Sequence, residues 1–135
     1  MSLYYEDQQA ESLRRAEDFR NSRIPKFLTH FETVLSKNGN GILVGSKVST
    51  ADLTIFQVLE GLAFAFPKRM GTLRKEGSYK SLFTLQDRFE RELEGYLKNE
   101  RRTEFGTGIF RHYPELVSVA FFLITCINGL LSQDA

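Results

Sequence analysis

Apolar residues recur at three- and four-residue steps in successive stretches of the chain, which is the spacing of amphipathic helices. The first stretch shows the pattern simply, with Ala10, Leu13, Ala16 and Phe19 spaced three residues apart. The predicted helices cover residues 4–21, 24 to the turn at 38–41, 50–65 and 80–99. With short connections and no internal repeat, this pattern predicts an all-α fold.

Glycine and proline mark the predicted boundaries. Pro25 suits the first turn of the second helix, where its missing N–H costs no hydrogen bond. Glycines at 39 and 41 end that helix, and residues 42–44 then read as an extended loop anchored against the third helix. We predict another loop around 72–76, next to Gly71 and Gly77.

The third helix, over 50–65, is apolar on nearly every side, which predicts an interior position for it. Ser49 followed by Asp52 has the spacing of a capping box, in which the hydroxyl and the carboxylate each serve the other residue's backbone N–H. Val48 and Leu53 are spaced for a hydrophobic staple. Replacing Asp52 by alanine is expected to cost about 1–2 kcal/mol, the usual effect of losing a good cap.

Composition narrows the function classes. The chain has 135 residues, enough for one domain with its own core. With 18 basic against 17 acidic residues, there is no electrostatic reason to expect nucleic acid as a partner. The single cysteine, Cys126, excludes an internal disulfide and fits a reducing compartment. His30 has no carboxylate or cysteine at ligand spacing, so we expect no metal site.

Three segments together carry a family resemblance. They are the Val-Gly-x-x-x-Ser-x-Ala-Asp string at 44–52, the helical segment 23–32, and the segment 105–116, which includes Tyr113-Pro114-Glu115-Leu116. In order and spacing they resemble the sigma-like C-terminal domain of glutathione S-transferases. The resemblance covers residues 4–116. It implies a helical bundle around one buried central helix, and we assign 1–116 to this domain and 117–135 to an atypical apolar tail.

The resemblance also implies a reaction, the conjugation of glutathione to electrophiles. In this family an N-terminal thioredoxin-like domain binds glutathione and lowers the pKa of its thiol. We find no counterpart of that domain in the sequence. We therefore expect no catalytic residue in this chain, no cofactor bound by it, glutathione only as the family's co-substrate, and little or no activity of the chain alone.

The helical domain of the family supplies the electrophile pocket, between its first helices and its C-terminal segment. By position, the resemblance assigns Phe19, Arg20, Phe110 and Tyr113 to that pocket. It further implies a cytoplasmic homodimer. The alternative is a non-catalytic protein-interaction module of the same fold, which would bind a protein partner through the face that the missing domain leaves open.

The apolar segment 117–131 departs from the family pattern, which usually ends in acidic residues soon after a Pro-Glu-Leu. It is shorter than the roughly 20 residues that span a bilayer, and Asn128 and Gly129 weaken a membrane interpretation. Three interpretations are open. The segment packs as a helix on the face left by the missing domain, it is a tail anchor, or it is translated non-coding sequence.

Overall fold

The computed structural model describes residues 9–99, 102, 104–106 and 113, and within this part all regular structure is helical. A π-helical turn, Phe19–Arg23, joins the first two α-helices. In chain order the α-helices are α1 Gln9–Asp18, α2 Ile24–Asn38, α3 Thr50–Ala65, α4 Pro67–Glu76, α5 Lys80–Glu92 and α6 Glu94–Leu97. The all-α prediction is confirmed. No helix in the described ranges combines the length and the hydrophobicity needed to cross a bilayer.

One cluster of side chains from four helices and two connecting segments forms the core. Leu59 and Leu82 are fully buried at its centre, and the rings of Phe56 and Phe89 meet edge to face with centroids 5.9 Å apart. Helices α2, α3, α4 and α5 therefore share one apolar interior. Its other members include Ile24, Leu28, Leu35, Leu43, Ile55, Met70, Leu73, Tyr79, Phe83 and Leu85.

Helix α3 lies against this core on one side only. Ile55, Phe56 and Leu59 are buried, whereas Leu53 is 42% exposed and Phe64 is 37% exposed. The predicted interior position thus holds for the side of α3 that carries Ile55, Phe56 and Leu59, and the side that carries Leu53 and Phe64 is partly exposed. Among the described residues, α3 therefore has apolar side chains on a second side that is partly exposed.

The N-terminus of α3 contains the capping box that the Ser49–Asp52 spacing predicts. Asp52 is fully buried, and its Oδ2 accepts hydrogen bonds from the Ser49 N–H and the Ser49 hydroxyl, both at 2.8 Å. Its Oδ1 accepts a third bond, 2.7 Å long, from the Leu43 N–H. The same carboxylate thus caps the helix and holds the preceding loop.

The loop between α2 and α3 is a series of bends, and two of its own residues, Ile42 and Leu43, are buried. The Asn38 side-chain amide donates to the carbonyls of Ile42 and Gly45, at 2.9 and 3.0 Å. Gly39 ends α2 with a φ of 69°, which only glycine adopts easily. The predicted anchored loop is confirmed, and it is not a strand.

Helix α5 obtains its N-terminal cap from another helix. Glu32, on α2, accepts hydrogen bonds from the backbone N–H groups of Ser81 and Leu82, each at 3.0 Å. A carboxylate at this position satisfies two free donors and interacts favourably with the helix dipole. Glu32 therefore connects α2 to the start of α5.

Two predicted boundaries are wrong. The region 72–76 is the end of α4, not a loop, because Met70 and Leu73 are buried in the core and their packing outweighs the low helix propensity of Gly71. The helix predicted over 80–99 is divided at Leu93, whose φ of −104° and ψ of 15° leave the helical region before Gly95.

A polar junction joins α3, α4 and α5. Arg74 donates to Asp87 at 2.7 Å and to the side-chain oxygen of Gln86 at 3.0 Å, and Gln86 donates to Glu60 at 2.6 Å. Burial raises the pKa of Glu90. A hydrogen bond with Glu60 and the charges of Glu60 and Asp87 raise it further, whereas the charge of Arg74 lowers it. Glu90 therefore binds its proton more tightly in the folded chain.

Removing the Asp52 side chain is expected to lower the free energy of unfolding by about 3 kcal/mol, more than the sequence alone indicates. Asp52→Ala loses the cap and also leaves the buried Leu43 N–H without an acceptor. Ser49→Ala is the matched control: it loses the hydroxyl's part in the capping box but keeps the Asp52 carboxylate and its bonds from the Ser49 and Leu43 N–H groups, for about 1 kcal/mol. Urea unfolding measures both. Equal losses in the two variants would contradict this role of Asp52.

Asp52 also makes stability depend on pH. Burial would raise the pKa of Asp52, but hydrogen bonds from Leu43 and Ser49 outweigh burial and the net shift is downward. Its stabilising effect is therefore present above the unfolded-state pKa of about 3.9 and lost as pH falls through the lower folded-state value. The stability difference between the wild-type chain and Asp52→Asn should narrow below about pH 4. A difference that stays constant from pH 7 to pH 3 would contradict the shift.

Glu90 makes stability depend on pH in the opposite direction from Asp52. Because its pKa is raised on folding, its contribution to stability is full at low pH and is lost as pH rises through the unfolded-state value toward the folded-state value. Glu90→Gln should therefore stabilise the chain at pH 7 by about 0.5 kcal/mol, as when one like-charge pair is relieved. The gain should vanish below about pH 4, as measured by thermal unfolding.

Glu92→Gln is the control for this change. Glu92 lies on the same helix but accepts from Arg88 at 2.8 Å, so its neutralisation should slightly destabilise the chain at pH 7. If both variants stabilised the chain, the gain would come from removing any negative charge from α5 and not from relieving the Glu60–Glu90 pair.

Candidate functional site

A cavity of about 540 Å³ lies between α1, the π-helical turn and the residue that precedes α4. The rings of Phe19 and Phe66 form its aromatic part, with centroids 5.5 Å apart and planes tilted by 37°. We call it the Phe19 cavity. Its other lining residues are mostly charged or polar: Ser12, Arg14, Arg15, Ala16, Asp18 and Arg23.

The π-helical turn places Phe19 at this cavity. The Ile24 N–H bonds to the Phe19 carbonyl, five residues back, so the turn is one residue wider than an α-helical turn. With the same five-residue spacing, the Arg20 carbonyl would accept from the N–H of residue 25. That residue is Pro25, which has no N–H. Arg69 supplies the missing donor, with its Nε 3.1 Å from that carbonyl.

Phe19 and Arg20, adjacent in sequence, go to different places. Phe19 lines the cavity, whereas Arg20 is buried and is not among the described lining residues. Burial lowers the pKa of Arg20, and Glu17 opposes this shift. Arg20 thus lies apart from the described lining of the Phe19 cavity, and its assignment to the electrophile pocket stays a prediction.

Of the other two predicted pocket residues, only Tyr113 belongs to the part of the chain that the structure describes. Tyr113 is half-buried and is not among the described residues that line the Phe19 cavity. Phe110 lies outside the described residues, as does the whole segment 114–135. For these positions the pocket assignment stays a prediction.

A carboxylate sets the charge at the rim of the Phe19 cavity. Arg14 contacts Glu11 through two nitrogens, at 2.9 and 2.6 Å, and Arg15 contacts it at 2.9 Å. The hydrogen bonds from Arg14 and then Arg15 lower the pKa of Glu11 to about 2. Glu11 therefore stays ionised near neutral pH, and its single negative charge is shared between two guanidinium groups.

A larger cavity of about 770 Å³ follows the open side of α3, and sequence reasoning did not find it. It is a mainly apolar groove that also reaches α6 and residue 102, and we call it the α3 groove. The sequence does carry a signal for this groove, because α3 has apolar residues on nearly every side. Its described lining residues are Leu53, Thr54, Phe56, Gln57, Val58, Leu93, Tyr96, Asn99 and Arg102.

The described residues offer little for direct chemistry. Within the described ranges, no three His, Cys, Asp or Glu side chains cluster as metal ligands would. The Tyr79 hydroxyl, a possible donor to a thiolate, is buried and donates to the Pro25 carbonyl at 3.4 Å, with the Thr29 hydroxyl 3.3 Å away. It holds α2 to the start of α5 and is not open to a substrate.

The family model described as the glutathione S-transferase C-terminal domain matches residues 1–100 of the chain. The chain belongs to this family. The resemblance found in segments 23–32 and 44–52 is thereby confirmed, and the helical architecture agrees with it. A comparison with curated proteins gave no significant match.

The capped helix α3 and the described lining of the Phe19 cavity both fall within the matched part of this glutathione S-transferase C-terminal domain. The match ends at residue 100, so the resemblance of segment 105–116 and the distinct character of 117–131 rest on the sequence alone.

Proposed function

We propose that this chain supplies the electrophile-binding wall of a glutathione S-transferase, with glutathione as the co-substrate. A thioredoxin-like domain would hold glutathione and activate its thiol, as in the family. The observation that carries the proposal is the Phe19 cavity, because it combines two aromatic rings with a basic rim next to the first helix of the domain.

The chemistry of the cavity favours flat, electron-poor substrates. Phe19 and Phe66 offer ring faces and edges for stacking on an aromatic electrophile. Arg14, Arg15 and Arg23 surround the rings and would interact favourably with nitro, halide or carboxylate groups on it. This combination of an apolar body and a few directed charges is typical of small-molecule sites.

The same proposal places thiol activation elsewhere. The Tyr79 hydroxyl is engaged inside the bundle, and the other described side chains include no cysteine. We therefore propose that the described part of the chain binds the electrophile but does not lower the pKa of the glutathione thiol. By family analogy, the working form is a cytoplasmic homodimer.

A second candidate function is a non-catalytic protein-interaction module. The open apolar side of α3 favours it, because Leu53 and Phe64 are exposed there together with Val48 before the helix. Surfaces of this kind are common at protein interfaces. A pull-down that depends on Leu53, together with no binding of electrophiles, would favour this function over the first.

The proposal predicts binding without turnover. The purified chain with glutathione and an aryl halide should show no rate above the uncatalysed reaction. It should nevertheless bind the dinitrophenyl conjugate of glutathione, and Phe19→Ala should weaken that binding about tenfold, since a buried ring face is lost. Isothermal titration measures the affinity and absorbance measures the rate.

Phe27→Ala is the control for this experiment. Phe27 is 48% exposed, lies under the Arg23 guanidinium at 5.9 Å, and does not line the Phe19 cavity. Its replacement should leave the affinity unchanged. Turnover by the chain itself would overturn the assignment of thiol activation to another domain, and equal affinities of Phe19→Ala and the wild type would overturn the Phe19 cavity as the electrophile site.

A further inference from the structure

The chain leaves α2 through two consecutive asparagine–glycine pairs, Asn38-Gly39 and Asn40-Gly41. Asparagine is a chemically labile residue. When glycine follows it, the glycine nitrogen can attack the side-chain amide carbon, because glycine has no Cβ to hinder the approach. From the sequence alone, both pairs are open to this reaction. A third pair, Asn128-Gly129, lies outside the described residues.

The structure protects the first pair. Asn38 is the last residue of α2, and the Gly39 N–H donates to the Leu35 carbonyl at 3.0 Å. The Gly39 nitrogen must lose its proton to become a nucleophile, so this hydrogen bond has to break before the attack. The side-chain amide of Asn38, which would leave as ammonia, is itself held by the carbonyls of Ile42 and Gly45.

The second pair is open. Asn40 and Gly41 are both exposed, and neither belongs to a helix. The Gly41 N–H has no hydrogen-bond partner among the described residues. Within the same described part, the Asn40 side chain bonds only to the Gly45 carbonyl, from its amide at 2.9 Å. The nucleophile of this pair is therefore free, and the site is accessible to water.

We propose that Asn40 is a site of spontaneous deamidation and that the end of α2 protects Asn38 from the same reaction. The Gly41 nitrogen forms a bond to the Asn40 Cγ, the bond from Cγ to Nδ2 breaks, and ammonia leaves with the proton from the Gly41 nitrogen. Water then opens the cyclic imide at either carbonyl, which gives aspartate or isoaspartate. This site goes beyond the proposed function, since the reaction uses neither glutathione nor an electrophile.

The product changes how the loop between α2 and α3 is held. A carboxylate at position 40 cannot donate to the Gly45 carbonyl, and its charge next to that oxygen is repulsive. Asn38 is then the one described donor left to this carbonyl, while the bond from the Leu43 N–H to Asp52 is retained. The modified chain should therefore keep its fold but unfold at a lower urea concentration.

Peptide mapping of the full chain, stored at neutral pH and physiological temperature, tests the proposal. Trypsin releases residues 38–47 as one peptide, because Lys37 and Lys47 flank the cleavage points, and fragmentation in the mass spectrometer distinguishes the two asparagines. In the folded chain, Asn40 should convert at least about tenfold faster than Asn38, as expected when attack at Asn38 must first break a hydrogen bond. In guanidinium chloride the two rates should become similar.

Two variants complete the experiment. Asn40→Gln should abolish the fast reaction, because the longer side chain forms its cyclic imide far more slowly. Asn40→Asp should reproduce the lower urea midpoint of the modified chain. Equal rates at the two asparagines of the folded chain, a faster reaction at Asn38, or no conversion of Asn40 would overturn the proposal. The same preference for Asn40 in the unfolded chain would overturn the protection of Asn38 by the helix end.

Discussion

The two oxygens of the Asp52 carboxylate accept hydrogen bonds from different parts of the chain. These bonds together hold α3 to the loop before it. Oδ2 serves the Ser49 cap, and Oδ1 serves the Leu43 N–H, nine residues earlier. A fully buried carboxylate is tolerated only because all three bonds are present. Once the loop is fixed, Ile42 and Leu43 are buried and the end of α2 is set relative to the start of α3.

The other connections between helices follow the same logic, in which a polar side chain of one element satisfies backbone or buried groups of another. Glu32 caps α5 from α2, Arg69 satisfies the Arg20 carbonyl that Pro25 leaves free, and Gln86 joins Glu60 to Arg74. Apolar packing in the core supplies the main stabilisation. These directed bonds then select one arrangement of the helices among the many that would bury similar area.

Much of the fold was predictable because its signals are local. The Ser49–Asp52 spacing and the place of Pro25 in the first turn of α2 can be read directly, and both predictions agree with the structure. The errors have a common cause in tertiary context. Gly71 is tolerated inside α4 because its neighbours Met70 and Leu73 are buried, and no local pattern shows which apolar side chains of α3 stay partly exposed.

The candidate site was predictable only in part. Family resemblance pointed to Phe19, which lines a cavity, but the π-helical turn sends Arg20 to the interior, and such a turn has no reliable sequence signature. The α3 groove depends on Leu93 and Arg102, which lie far from α3 in sequence and join it only through tertiary packing. Membership of the glutathione S-transferase C-terminal family accounts for the fold of the chain, while the cavities determine what the chain can bind.

Native-state hydrogen exchange at the Leu43 amide tests the role of Asp52 most directly. If the Asp52 carboxylate holds the loop, this amide should exchange as slowly as amides of the core helices, such as that of Leu59, although it lies outside any helix. Exchange of the Leu43 amide at the rate of an unprotected loop amide, with Leu59 still protected, would contradict the account.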